Sequence, residues 1–212
     1  GYVQWPGATD AHLLFPSFYC RATDLIETHL VASRDGRKWL RLQRGPILAG
    51  GEAGAMNEGG IYAGQGIAEL KDRWLLPVTP QTKTHNWGLF LKGAPRNQGG
   101  IWLAAIRPDG FTSLCAEDRG ECWTFPFVFS GNKLLVNTWA RFGGNIRIGL
   151  EDRDGAVAGF QIEDCAPLEG DCLWKPVTWR GGSDLAPFAG RQIILHIQLI
   201  RARLHAFRFA ND

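Results

Sequence analysis

The chain has 212 residues, 45% of them hydrophobic and 21% charged, with 23 basic against 21 acidic side chains and a formal net charge of +2. That mixed balance excludes the basic footprint of a nucleic-acid binder, and the sequence lacks the roughly 20-residue apolar run that a membrane-spanning helix needs. A chain of this length buries about 70% of the surface its unfolded form exposes, so a core requires neither metal nor disulfide.

From the N-terminus onward the signal is extended. Helical periodicity is interrupted throughout by 27 glycines and 11 prolines. Short apolar runs predict strands over 25–33, 61–70, 73–79, 86–91, 101–106 and 125–129, then over 133–139, 145–150, 191–200 and 203–209. Turn pairs separate them, among them Asp35-Gly36, Asp109-Gly110, Gly131-Asn132, Gly143-Gly144 and Asp154-Gly155. At the first of these, "SRDGRKW" (33–39), the Asp35 carboxylate is placed to bond amides of its own turn and Gly36 to supply the left-handed residue. Near the C-terminus Ile193, Leu195, Ile197 and Leu199 alternate with His196 and Gln198, the period of a half-buried antiparallel strand. Residues 200–203 are expected to reverse the chain after it.

The pattern is all-β. Before residue 120 the strand groups end in Gly/Asp/Trp loops; after it the hairpins shorten and alternation is cleaner. The division expected is therefore a propeller-blade-like β region over 1–122 and a β-sandwich domain over 123–212, with two or so antiparallel blades packed on a jelly-roll-like sandwich. Nine tryptophans against three tyrosines fit large cross-strand pairs in a β core, or a face that stacks on flat ligands such as sugars. Cys20, Cys115, Cys122, Cys165 and Cys172 include two pairs of equal spacing, which leaves reduced thiols, short disulfide loops and a metal site as alternatives. Six intervening residues exceed the two to four usual in zinc ribbons.

Several segments of the first half are similar to the later blades of the five-bladed β-propeller glycosidases, the fructan-, arabinan- and xylan-cleaving enzymes, and more closely to bacterial proteins related to them. These are "LLFPSFY" (13–19), "IETHLVASRDGRKW" (26–39), "GGIYAGQG" (59–66), His85 and "PDGFTSL" (108–114). In the second half, "LLVN" (134–137), "IRIGLED" (146–152), "PLEGD" (167–171), "VTW" (177–179) and "LHAFRF" (204–209) resemble the β-sandwich that closes those proteins.

The resemblance implies glycosidase chemistry, in which two carboxyl groups face each other across a sugar at about 5 Å or about 6.5–9.5 Å. It also implies that most of that carboxylate set belongs to blades outside these residues, so hydrolysis by this chain alone is not expected. The candidate catalytic residues are Glu27, Glu58 and His85; the candidate substrate-binding residues are His29, Asn57, Trp87 and Tyr62. Glu27 and His29 are two apart on one predicted strand and so share a face. Asn57 stands where relatives tend to carry aspartate, and an amide performs no acid–base work; Glu58 is its neighbour. His85, in "TKTHNW" (82–87), matches a histidine near the propeller centre, placed to touch a sugar or to orient a metal-bound water. His12, His196 and His205 read as ordinary strand histidines, and Glu151–Asp154 as a solvated hairpin tip, with calcium as the other reading.

No cofactor and no metal site are predicted. The function expected is that of a carbohydrate-binding, glycoside-hydrolase-like protein or fragment. The alternative is a non-catalytic module that oligomerises through open blade edges, a homodimer covering strands that would otherwise aggregate. An unrelated enzyme on a β scaffold is the third reading. Carbohydrate is thus the expected partner, not nucleic acid or membrane. Localisation is left open between cytoplasmic and secreted.

Overall fold

The computed structural model describes residues 1–89, 93 and 98–211. Among them the regular structure is extended apart from one turn of 3-10 helix, Ala186–Phe188. No helix is long and apolar enough to cross a membrane. The chain divides into two units, Gly1–Pro108 and Asp109–Asp212.

In the first unit the strands are β1 (Tyr2–Gln4), β2 (His12–Leu14), β3 (Ser17–Cys20), β4 (Leu25–Thr28), β5 (Val31–Ser33), β6 (Gly60–Ala63), β7 (Ala68–Glu69), β8 (Trp74–Gln81) and β9 (Trp102–Ile106). One sheet has the order β1-β2-β5; the other runs β3-β4-β6-β8, with β7 and β9 also on β8. Trp74 and Leu75 of β8 pair with both β7 and β9, so these two flank β8 and β9 forms the edge opposite β3. The run 25–33 supplies two strands rather than one. His29 and Leu30, both buried, pass the chain from β4 in one sheet to β5 in the other. The Thr28 hydroxyl anchors this passage by donating to the Ile61 carbonyl at 2.8 Å.

After β5 the expected Asp-Gly corner forms. The Asp35 carboxylate accepts the amides of Arg37 at 2.8 Å and Lys38 at 2.7 Å, which lower its pKa, and Gly36 sits at φ +67°. Leu40 then pairs with Ala32 to close the hairpin. The buried hydrophobic side chains of this unit include Leu13, Phe15, Ile26, Ile61, Leu76 and Val78. Residues 86–89, the start of the strand expected over 86–91, form a turn instead; Phe90 and Leu91 lie outside the described residues.

The second unit is built on β10 (Leu114–Trp123), β11 (Phe127–Val128), β12 (Lys133–Asp152), β13 (Gly155–Ala156), β14 (Asp171–Pro176) and β15 (Gln192–Ala210), in the order β10-β15-β12-β13 with β14 on β12 and β11 on β15. β10 is hydrogen-bonded to β15 along its length, which draws residues 114–122 into this unit. The division therefore falls at 108/109, earlier than the expected 122/123.

The largest departure from expectation concerns the two long strands. Gly143-Gly144 and residues 200–203 do not reverse the chain. β12 and β15 run on past one another, with Ala140 opposite Ala202 and Asn145 opposite Ile200, so residues 141–144 face Arg201 alone. This is a bulge, and its local backbone explains the sequence signal. Gly143 has φ +70° and Arg201 φ +45°, and a Cβ on Gly144 would lie 2.5 Å from the Ile200 carbonyl oxygen. Glycine pairs bend a strand as readily as they end one.

The inward face of these strands, Ile146, Ile148 and Leu150 against Ile193, Leu195 and Ile197, is fully buried. Trp179 joins it, donating its indole N–H to the Ile148 carbonyl at 2.6 Å. The tryptophans thus divide: Trp74 and Trp179 lie in cores, while Trp102, Trp123 and Trp139 are exposed. None of the five cysteines is in a disulfide, and the two buried ones are engaged as thiols. Cys165 accepts the Ile148 amide and donates to the Ala166 carbonyl, both at 3.3 Å, and Cys172 donates to the Glu169 carbonyl at 3.2 Å.

Candidate functional site

Strand register decides which candidate side chains meet. Tyr19 lies opposite Ile26, and Ile26 pairs with Gly60, so Tyr19, Ile26, Gly60 and Tyr62 project from one face of the β3–β4–β6 sheet. On that face the Tyr62 hydroxyl is 2.9 Å from His85 Nδ1, and the Tyr19 ring lies 5.3 Å from the His85 ring. His85 and Tyr19 are both exposed.

The turn that presents His85 is fastened to Asp24, 61 residues earlier. Asp24 has φ +58° between β3 and β4, a conformation that aspartate tolerates better than most residues. Its carbonyl accepts the His85 amide at 3.0 Å, and its carboxylate accepts the Asn86 amide at 2.9 Å, the Asn86 side chain at 2.7 Å and the Tyr19 hydroxyl at 3.0 Å. A hydrogen bond from the Thr84 side chain is the main cause that holds the Asp24 carboxyl down to about 2, with the Asn86 and Tyr19 bonds acting in the same direction. The approach is close: a Cβ on Gly59 would fall 2.0 Å from the Lys83 carbonyl group, so only glycine lets the β6 entry pass beneath this turn. Trp87 follows two residues after His85, with the Lys83 ammonium 5.0 Å above its ring.

Glu27 and His29 point the other way. Glu27 lies opposite Phe18, and both belong to the face that Tyr19 and Ile26 leave. There Arg41 donates to His29 Nδ1 at 2.9 Å. Arginine has only donors, so His29 Nδ1 accepts and Nε2 carries the proton, facing Glu27 Oε2 at 3.5 Å. Phe18 covers the group, its ring 4.3 Å from His29 and 4.8 Å from the Arg41 guanidinium. Arg41 also reaches the Arg44 carbonyl.

Asn57 and Glu58 shape their own loop. Glu58 accepts the Gly54 amide at 2.7 Å, and the Asn57 side chain donates to the Ala49 carbonyl at 3.2 Å. A Cβ on Gly51 would fall 2.3 Å from Asn57 Oδ1, so the loop is closed tightly around that amide.

The seven candidates therefore fall into three groups: Tyr62 and His85 with Trp87 nearby, Glu27 with His29, and Asn57 with Glu58. Sequence reasoning passed over Tyr19, Asp24 and Asn86, which complete the first group, and Phe18 and Arg41, which complete the second. Asp24 had a readable signal, a polar turn between two strand-like runs; its partners lay too far along the chain to be read. Among the described residues no group of three or more His, Cys, Asp or Glu is gathered that could hold a metal ion.

These elements define an all-β protein with an exposed tyrosine–histidine face in its first unit. No protein-family model and no curated protein sequence matches the chain. Among solved structures it is similar to the crystal structure of a glycoside hydrolase family 43 arabinoxylan arabinofuranohydrolase from Bacillus subtilis in complex with cellotetraose. The alignment covers 97% of this chain and 53% of that one, at 10% identity and a TM-score of 0.28, so the chain spans about half the length of that protein.

Proposed function

We propose that this protein binds carbohydrate on the Tyr19–Tyr62–His85 face and does not hydrolyse it with the residues present. The observation that carries this reading is a pre-set exposed aromatic face: Asp24 and Asn86 bond the Tyr19 hydroxyl, the Asp24 carbonyl holds the His85 backbone, and Tyr62 meets the His85 ring. A sugar lays its C–H face on an aromatic ring and offers hydroxyls to fixed polar groups, and fixing those groups beforehand lowers the entropy lost on binding.

Hydrolysis needs a carboxylic acid still protonated near neutral pH, facing a second carboxylate. Asp24 is shifted in the opposite direction, and its oxygens are occupied. Glu27 lies on the other face of the sheet, and Glu58 is tied to Gly54.

Titration of the chain with neutral arabinan and xylan oligosaccharides by calorimetry tests the proposal. His85→Ala and Tyr19→Ala are each expected to weaken binding by about tenfold or more, equivalent to about 1.4 kcal/mol per decade, and no reducing sugar is expected to be released. Release of reducing sugar that disappears in Glu27→Gln or Glu58→Gln would refute the non-hydrolytic part. Affinities unchanged by both aromatic variants would refute the site.

A second reading has its own support at the sheet edge. Ile101, Trp102 and Leu103 are 82%, 42% and 60% exposed on and beside edge strand β9. Pairing with a second copy would cover them. Sedimentation analysis expects a dimer that Leu103→Lys dissociates; a wild-type monomer at high concentration counts against it.

A further inference from the structure

The second unit carries a cavity of about 390 Å³ on the outward face of β10, β15 and β12. Register places Glu121 opposite Gln198, Trp123 opposite His196, and His196 opposite Gly149, with Glu151 two residues further along β12. Period-two alternation puts all of them on the face that the buried Ile193–Leu199 set turns away from. A Cβ on Gly149 would come 3.0 Å from the Ile162 amide, so the bare glycine lets the 161–163 segment close over the strands as a wall.

His196 lines the cavity, and Trp123, just outside that lining, stacks on it. The Trp123 and His196 rings lie 4.2 Å apart at 11°, and the indole N–H donates to Glu151 Oε1 at 3.0 Å. His196 covers one indole face, yet Trp123 remains 54% exposed. Glu121 Oε1 accepts Arg119 at 2.7 Å and Gln198 at 2.8 Å, while Oε2 lies 3.6 Å from His196 Nε2, beyond hydrogen-bond length. His196 Nε2 is itself buried without a hydrogen bond. His196 thus lies between two carboxylates, its Nδ1 3.7 Å from Glu151 Oε1, and the exposed indole of Trp123 stands at the edge of the cavity they line.

The lining also selects by charge. Glu121, Glu151 and Glu163 outnumber Arg119, which is already bonded to Glu121, so an anionic ligand is repelled. The volume lies in the range of small-ligand sites, roughly 300–1,000 Å³. We infer that this cavity is a second carbohydrate site, taking the end of a neutral saccharide with Glu121 and Glu151 as hydroxyl acceptors and the adjoining Trp123 as the stacking platform at its edge. It stands without the first-unit site, on different residues.

The test is an NMR titration of the whole chain with xylobiose, cellobiose and maltose, with glucuronic acid and glucosamine as charged controls. At least one neutral disaccharide is expected to shift the Trp123 indole resonance and the amides of 149–151 and 196–198. Trp123→Ala should abolish the shifts, Trp123→Phe should retain them because a stacking ring remains, and Glu151→Gln should weaken binding about tenfold. Tyr19→Ala and His85→Ala should leave these shifts unchanged, which separates this site from the first. Absence of shifts with all three disaccharides, shifts surviving Trp123→Ala, glucuronic acid binding as well as the neutral sugars, or glucosamine alone binding would each overturn the inference. Should Trp123→Ala unfold, Glu151→Gln and Trp123→Phe decide it: binding unchanged by the former, or lost in the latter, would count against the assignment.

Discussion

Asp24 joins a turn, a strand edge and the candidate ligand face through one side chain, and its ionisation makes that junction sensitive to acid. Its folded carboxyl titrates at about 2, below its ordinary 3.8, so its stabilisation is complete above about pH 4 and is lost as pH falls toward 2. Glu121, held at about 2 chiefly by Arg119, acts in the same sense in the second unit. Thermal melts between pH 4 and 2 should therefore be steeply pH-dependent. Asp24→Asn should lower the midpoint at pH 7 and flatten that slope, and a variant as steep as the parent would contradict the assignment. The thiols are ordered by the same physics. Cys20 is exposed, its thiol pKa lowered mainly by the Thr23 side chain, whereas Cys165 is buried and raised by that burial. Mass-spectrometric mapping of iodoacetamide labelling in the native protein should find Cys20 modified first and Cys165 protected.

At the scale of elements, two glycines test how strands are positioned. Gly144→Ala would drive a methyl group against the Ile200 carbonyl at the β12–β15 bulge and is expected to destabilise by about 1–3 kcal/mol, read from denaturant midpoints. Gly59→Ala would press on Lys83 and displace the turn bearing His85. It should weaken oligosaccharide binding at the first-unit face as well as stability, and leave the Trp123 cavity unaffected. The Gly143-Gly144 pair was legible as an irregularity; its identity as a bulge was not. Both turns and bulges need left-handed or side-chain-free positions, and only the partner strand distinguishes them.

For the whole molecule, the buried cluster that includes Ile146, Leu195, Trp179 and Leu134 is drawn entirely from residues after 115. A domain of about 100 residues commonly folds alone. Residues 109–211 are therefore expected to give a cooperative melt with fixed near-ultraviolet aromatic signals; a gradual, probe-dependent transition would show that the division at 108/109 is not a folding boundary.

The β class of this protein follows from sequence alone, because alternation with period two and frequent Gly/Pro interruption leave no continuous helical stripe to bury. The Asp35-Gly36 corner follows too, since its bonds lie within four residues. Which side chains share a face did not. By sequence Glu27 and Tyr62 belong to one candidate site, but the register of β3, β4 and β6 sends them to opposite sides of a sheet; by sequence His196 is an ordinary strand histidine, but pairing with β10 and β12 sets it between Trp123, Glu121 and Glu151. The physical reason is the same in each case: periodicity is a property of one strand, whereas a site is made by register between strands distant along the chain.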